Sequence, residues 1–191
     1  MRGAVGLGVI LALMGCVATV PAQKPDESGT LPPGYPPKIG VISAELAGKA
    51  AGWETYDYSI GAFDASAQFS GPKAAPMFRM LGLPPGQPNS TKNRITMAGN
   101  APGGAKAGPL AKPLIEIVAG TNWDGLRLSS SGQQAEIVVD TLTPKDSGYG
   151  HATGHFSAIV CAANDMPIKV DTRHCQPLTG TFETDLQFDL N

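Results

Sequence analysis

The stretch TGTFETDLQFDL, residues 179–190, alternates large apolar side chains with polar ones. The large apolar residues share one parity: Phe182, Leu186, Phe188 and Leu190. The polar residues on the other parity are Glu183, Asp185, Gln187 and Asp189. Because successive side chains of a strand point to opposite faces of a sheet, this pattern predicts a half-buried antiparallel strand. The apolar set should face the core and the polar set should face water.

Shorter strand-like runs follow one another along the chain after residue 38. They are residues 39–43, 53–69, 76–81, 94–97, 114–118, 126–128, 135–142 and 151–161. The longest run changes parity, which predicts a bulge or bend near Gly61-Ala62. Residues 44–51 contain good helix formers together with Gly48, so a helix and a strand both stay open there. The glycine- and proline-rich segment 99–113 is expected to be a long surface loop.

The spacing of these runs indicates the fold class. The chain has 24 Gly and 17 Pro among 191 residues, which is typical of a folded protein with many turns. No stretch has the periodicity of a good amphipathic helix. The sequence therefore predicts an all-β fold of about seven to nine short strands, an antiparallel β-sandwich or a small barrel, with the sandwich preferred.

Charge and motifs exclude some function classes. The formal net charge is −2 and there is no long basic run, so nucleic-acid binding has no electrostatic support. The glycine-rich segment 99–113 lacks the GxGxxG and GxxxxGK patterns that cradle phosphates. We therefore predict no cofactor.

The N-terminus has the features of a secretory signal. Arg2 supplies the positive start, and Ala4–Met14 is an uncharged apolar stretch of the right length. Within it, Leu13-Met14-Gly15-Cys16 resembles the lipobox of bacterial lipoproteins. The resemblance implies that Cys16 is acylated and becomes the first residue of the mature protein. It also implies a lipid anchor in the cell envelope facing the periplasm, and Val17 after the cysteine favours the outer membrane.

Two other interpretations of the N-terminus stay open. An ordinary signal peptide cleaved after Ala22, within Val20-Pro21-Ala22, would leave a soluble periplasmic or secreted protein. A permanent transmembrane helix is less favoured, because Ala4–Val20 has only 17 residues, three of them glycine.

The expected organisation has three parts. Residues 1–15 are the signal peptide, 16–37 the lipidated cysteine with a tether, and 38–191 a single β domain. The tether is rich in proline and favours extended, semi-rigid backbone. Its prolines are Pro21, Pro25, Pro32, Pro33, Pro36 and Pro37.

Two cysteines remain if Cys16 carries lipid. In an oxidising periplasm, Cys161 and Cys175 are expected to form a disulfide, with Cα atoms about 4.4–6.8 Å apart. The closed loop of about 15 residues would stabilise the fold by about 3 kcal/mol. The alternative role as metal ligands is less favoured because the two thiols do not form a CxxC pair.

All three histidines lie in the C-terminal segment: His151, His155 and His174. On an extended strand the first two share a face but stand about 13–14 Å apart, too far to reach one zinc ion without a bend. Asp165 or Asp171 could complete a metal site if the chain bends. The favoured interpretation is solvated histidines on an exposed strand.

Other candidate chemistry has a simpler explanation. Ser157 and His155 lie on the same face of one predicted strand, but no GxSxG motif accompanies them, so catalysis has no direct support. Four aromatic residues could form a carbohydrate- or peptide-binding patch, although such residues more often fill a core. They are Trp53, Tyr56, Tyr58 and Trp123.

These observations favour a lipid-anchored, non-enzymatic β domain of the cell envelope with a binding or structural role. Its expected partners are the membrane, through the N-terminal lipid, and an envelope protein or glycan. The alternative is a periplasmic hydrolase or metal-binding protein that uses the segment containing His151, His155 and His174. Convergence of those histidines with an aspartate in one concave pocket would favour the alternative.

Overall fold

The computed structural model describes residues 35–58, 65–119, 127–145, 148–164 and 169–191. All of these residues belong to one compact unit, Pro32–Asn191. Several predictions fall outside the described residues. They concern the signal peptide and lipobox, most of the tether, the bend at Gly61-Ala62, Trp123 and Asp165.

The described residues form eleven β-strands and no helix, which confirms the all-β prediction. The strands are β1 (Lys38–Leu46), β2 (Lys49–Tyr56), β3 (Ala67–Gly71), β4 (Met77–Gly82), β5 (Arg94–Asn100), β6 (Gly108–Pro109), β7 (Ala111–Val118), β8 (Arg127–Ser129), β9 (Ala135–Pro144), β10 (Tyr149–Asn164) and β11 (Lys169–Leu190). No helix in the described ranges is long and apolar enough to cross a bilayer.

Two regions were not predicted as strands. Residues 44–51 form the ends of β1 and β2 around a tight turn, in which Ala47 has φ 50° and Gly48 has φ 78°. Two consecutive positive φ angles are typical of the type I′ turn that suits a hairpin. The expected loop 99–113 contains β6 and the first residues of β7. Short pairings such as β6 with β9 raise the strand count above the expected seven to nine.

The strands form two antiparallel layers that share one hydrogen-bonded network. The network is one 11-stranded sheet of order β2-β1-β11-β3-β4-β5-β7-β8-β10-β9-β6, with an additional pairing of β11 with β10. We divide it into the layers β2-β1-β11-β10-β9-β6 and β3-β4-β5-β7-β8. The end of β11 pairs with β3 in parallel, and the end of β10 pairs with β8. Pairing therefore closes into a circuit of seven strands, which combines features of the predicted sandwich and small barrel.

The long hairpin of β10 and β11 links the layers. β11 pairs with β1 over residues 178–184 and then with β3 over 187–190. β10 pairs with β9 over 150–158 and then with β8 over 161–163. Each strand thus changes partner along its length. The register shifts twice along β10, through extra residues on β11 and on β9, and these bulges let the sheet bend.

Two glycines on this hairpin let aromatic rings reach the core. Gly154 lies opposite Phe182, and Gly180 lies opposite Phe156. A Cβ atom at Gly154 would stand 2.2 Å from Cζ of Phe182, and one at Gly180 would stand 2.5 Å from Cζ of Phe156. Each ring therefore packs over the glycine of the facing strand, a known way to support glycine within a sheet.

The core lies between the two layers. Phe182 of one layer and Phe78 of the other have ring centroids 6.0 Å apart, and Phe78 also contacts Phe69 at 5.2 Å. The largest fully buried side chains are Phe69, Phe78, Phe156, Ile42, Met80, Ile95, Met97, Ile115, Ile137, Leu178, Leu186 and Val139.

The last strand follows its predicted alternation over most of its length. Phe182 and Leu186 are buried, and Phe188 and Leu190 are half-buried. On the polar parity, Glu183 and Asp189 are exposed while Asp185 and Gln187 are half-buried. Asp185 and Gln187 were predicted to lie in water, but both are only partly exposed. Oε1 of Gln187 accepts a hydrogen bond from the backbone N–H of Ala65 at 3.1 Å.

The predicted disulfide between Cys161 and Cys175 is present. Its Cα atoms are 3.9 Å apart, closer than the predicted range of about 4.4–6.8 Å. The two cysteines are direct partners in the β10–β11 pairing. The register then shifts, so that Ala162 pairs with Asp171 and residues 172–174 form a bulge. The disulfide closes the base of this bulge.

We expect Phe182→Ala to lower the free energy of unfolding by about 3–5 kcal/mol, because it removes a ring packed between both layers. The neighbouring Glu183→Ala is the control, since that side chain is 67% exposed. It should change stability by no more than about 0.5 kcal/mol. Urea denaturation of the two variants measures both effects. Equal stability of the two variants would show that β11 is not part of the core.

Candidate functional site

The outer face of β1, β11, β10 and β9 carries a continuous polar surface. It is formed by the residues that alternate with the core side chains of these strands. We call this surface the polar face and define it by Ser43, Asp140, Thr141, His151, Thr153, His155, Ser157, Thr181, Glu183 and Asp185. All of them are exposed or half-buried. The polar face contains two of the three histidines that the sequence singled out.

His151 is held by two acidic residues of β11. Its register partner is Asp185, and Nδ1 lies 2.8 Å from Oδ1 of that residue. Nε2 lies 3.5 Å from Oε1 of Glu183. Lys145 also donates to Asp185, at 2.7 Å. Desolvation acts to raise the pKa of Asp185, but the hydrogen bonds from Lys145 and His151 outweigh it and hold that pKa below its ordinary value.

His155 has a different acidic partner. Its Nδ1 lies 2.9 Å from Oδ1 of Asp140 on β9. The β9–β10 register shifts between Thr153 and Gly154, and Asp140 is the residue left without a partner in the register. This bulge places the carboxylate beside the histidine ring. Both side chains are about half exposed, at 50% and 45%.

His174 belongs to the bulge closed by the disulfide. Its Nδ1 lies 2.9 Å from Oδ2 of Asp171, which also accepts hydrogen bonds from the backbone and guanidinium of Arg173. The Arg173 guanidinium first, and then His174, hold the pKa of Asp171 well below its usual range. The side chains of Arg173 and His174 are 83% and 71% exposed.

The three histidines therefore do not converge in one pocket. His151 and His155 share a face as predicted, but each is paired with its own carboxylate, and His174 is paired with Asp171. Among the described residues, no group of three His, Cys, Asp or Glu side chains is arranged to hold a metal ion. Ser157 lies on the polar face with His155, as predicted, and is half-buried.

The aromatic candidates lie mainly inside the domain. Trp53 is 6% exposed, and its Nε1 donates to the backbone oxygen of Asn93 at 2.8 Å. Tyr56 is 4% exposed. Tyr58 is half-buried and donates its hydroxyl to the backbone oxygen of Pro88. Trp53 and Tyr56 thus fill the core or its edge, which was the alternative to a binding patch.

Sequence reasoning missed a hydrogen-bonded centre at Glu54. Its carboxylate accepts from Lys38 at 2.6 Å, from the Tyr56 hydroxyl at 2.5 Å and from the backbone N–H of Gly86 at 2.8 Å. These bonds, that from Lys38 above all, lower the pKa of Glu54 to about 2. Burial and the bond to Glu54 raise the pKa of Tyr56 to about 12. The signal available in the sequence was that Glu54 and Tyr56 lie two residues apart, and therefore on the same face of a strand.

A shallow depression of about 380 Å³ lies in the polar face. Its walls include Thr153 and Asp140 on one side and Ser43, Thr181 and Glu183 on the other. Val41, Gly154 and Phe182 also line it, so the depression combines hydroxyl and carboxylate groups with apolar surface. Its polar groups suit a partner that forms hydrogen bonds. Comparison of the chain with protein-family models, curated proteins and solved structures finds no match.

Glu54 should contribute stability that depends on pH. Because its folded pKa of about 2 lies below the ordinary value of 4.5, its contribution is complete above pH 4.5. It is lost as the pH falls towards 2. We expect Glu54→Gln to destabilise the protein by about 1–3 kcal/mol at pH 7. Urea unfolding should show this difference shrinking between pH 4.5 and 2.

The matched control is Glu45→Gln, which makes the same change at an exposed position on β1. That variant should have the same free energy of unfolding as the wild-type protein across the pH range tested. A difference between Glu54→Gln and wild type that stays constant from pH 7 to pH 2 would contradict the role assigned to the ionised Glu54 carboxylate.

Proposed function

We propose that this chain is a lipid-anchored domain of the bacterial cell envelope with a non-enzymatic role, binding a partner through the polar face. The lipobox resemblance at Leu13-Met14-Gly15-Cys16 supports the anchor. The disulfide between Cys161 and Cys175 supports an oxidising compartment such as the periplasm. An outer-membrane location is proposed because Val17 follows the cysteine.

The observation that carries the non-enzymatic role is the separate pairing of each histidine. A general base in hydrolysis must lie within reach of a nucleophile and be oriented by an acid. His151, His155 and His174 each have an acid, but within the described ranges none of them forms a hydrogen bond with a serine, threonine or cysteine side chain. The pairs instead orient side chains on a surface.

The chemistry of the polar face favours a polar partner. Thr141 and Thr153 are linked by a 2.8 Å hydrogen bond between their hydroxyls, and Asp185 is fixed by Lys145 and His151. Side chains already held in place lose less entropy when a partner binds. A glycan or a polar protein surface of the envelope fits this face.

The hydrolase or metal-binding alternative would need a rearrangement. His151 and His155 would have to leave Asp185 and Asp140 and turn towards a common point. The β10–β11 and β9–β10 pairings hold these residues at different register positions of the sheet. This geometry favours the binding role over the alternative.

The anchor is tested by Cys16→Ala in the full chain. We expect the substitution to abolish labelling with a radioactive fatty acid and either to release the protein from the membrane fraction or to stall its processing. Met14→Ala is the control, because it changes a free position of the lipobox and should leave labelling intact. A mature wild-type protein that begins at Gln23 without lipid would contradict the anchor.

The binding face is tested by photo-cross-linking in intact cells. A photoreactive amino acid at Thr181, on the polar face, should give a discrete adduct with an envelope component. The same residue at Thr172, an equally exposed threonine of β11 in the bulge, is the control and should not give that adduct. Gel mobility and mass spectrometry identify the product. Identical products from both positions, or none from Thr181, would contradict binding through the polar face.

A further inference from the structure

A second depression lies on the other layer, where β3 pairs with the end of β11. It has a volume of about 180 Å³ and is lined by Tyr58, Ala65, Ser66, Gln68, Arg79 and Leu81. Gln68 of β3 and Arg79 of β4 are direct register partners. Their neighbours Phe69 and Phe78 are buried in the core, so Gln68 and Arg79 are on the outer parity. We call this depression the Gln68 pocket.

Gln68 is the unusual residue of this pocket. It is only 8% exposed, and its Oε1 is buried without a hydrogen-bond partner. A buried acceptor without a donor destabilises the folded state, and such groups in native proteins call for an explanation. The terminal torsion of a glutamine side chain is soft, so the amide can turn towards a donor that enters the pocket.

Arg79 supplies a positive charge beside this amide. Arg79 is exposed, and its side chain forms no ion pair or hydrogen bond with any residue that the structure describes. A guanidinium group matches a carboxylate in geometry and can donate two parallel hydrogen bonds to it. Among the described residues, the pocket therefore offers a cationic donor without a partner next to an acceptor without a partner.

Ser66 adds a second donor. Its Oγ accepts a 2.8 Å hydrogen bond from the backbone N–H of Tyr56, which leaves the hydroxyl hydrogen to be donated. The backbone here is well fixed, because the Leu81 N–H donates to the Ser66 carbonyl at 2.7 Å and the Ala65 N–H donates to Gln187. The side chains of Ala65 and Leu81 form an apolar wall of the pocket. The Ser66 hydroxyl and the surrounding backbone are thus held before any ligand arrives.

We propose that the Gln68 pocket binds the C-terminus of a peptide chain that ends in a small residue. The terminal carboxylate pairs with Arg79 and accepts from Ser66, and the last amide N–H donates to Oε1 of Gln68. The small side chain packs against Ala65 and Leu81. The volume of about 180 Å³ suits a small terminal residue. This site is independent of the polar face and does not rest on the proposed function.

The direct test uses the full chain purified from membranes in detergent and isothermal titration calorimetry. The probe is acetyl-Ala-Ala with a free carboxylate, in both the L and the D configuration. We expect saturable binding of at least one of them, and loss of binding when the terminal carboxylate is amidated. Acetate should bind at least about tenfold more weakly, since it lacks the amide N–H. Equal binding of acetate and peptide, or no binding of either peptide, would overturn the proposal.

Arg79→Gln tests the charge. It should weaken binding of the free-acid peptide by about tenfold or more, since hydrogen bonds to charged groups are the stronger ones. Arg173→Gln removes the same charge from the exposed bulge and is the control, for which affinity should not change. If both variants bind as the wild type does, the carboxylate is not recognised by Arg79 and the proposal fails.

Gln68→Met separates a ligand role from a structural one. Methionine has a similar shape but lacks the unsatisfied oxygen, so we expect the melting temperature to rise by about 2–4 °C while the peptide affinity falls. A structural role for the amide predicts a lower melting temperature instead. A lower melting temperature together with unchanged affinity would overturn the proposal, and it would leave the lipid anchor and the polar face unaffected.

Discussion

Two reciprocal pairs of an aromatic residue and a glycine hold β10 against β11. Phe182 lies over Gly154, and Phe156 lies over Gly180, so each ring occupies the space that a facing side chain would need. The rings then extend into the core, where Phe182 meets Phe78 of the other layer. Every other strand attaches to this hairpin directly or through one or two intermediate strands. Loss of either glycine would therefore disturb the pairing and the core together.

The same hairpin positions the chemistry of the surface. Its register places Asp185 opposite His151 and Cys161 opposite Cys175, and its change of partner brings Gln187 beside Gln68 of β3. The polar face and the Gln68 pocket thus occupy different layers but share one structural cause. They differ in chemistry, because the histidines of the polar face are already paired with carboxylates, whereas Gln68 and Arg79 are unsatisfied among the described residues.

Sequence reasoning worked where a local pattern has one physical meaning. Strict alternation identified the inward residues of β11, because the faces of a strand follow from the sequence alone. The even pair of cysteines identified the disulfide, because an oxidising compartment was expected. Gln187 was wrongly expected in water because its burial comes from Ala65, which is distant in sequence. Trp53 and Tyr56 could not be assigned to surface or core, since an aromatic residue on a strand suits either environment.

The sequence by itself therefore determined the strand class, the faces of the most regular strand and the disulfide, since alternation and cysteine content act locally. Only the tertiary structure decided which partners those strands take. In the folded chain, His151 pairs with Asp185, His155 with Asp140 and His174 with Asp171. Oε1 of Gln68 is left without a hydrogen-bond donor. Register and bulges set these contacts, and both depend on how distant strands pack, which the residue pattern of a single strand does not contain.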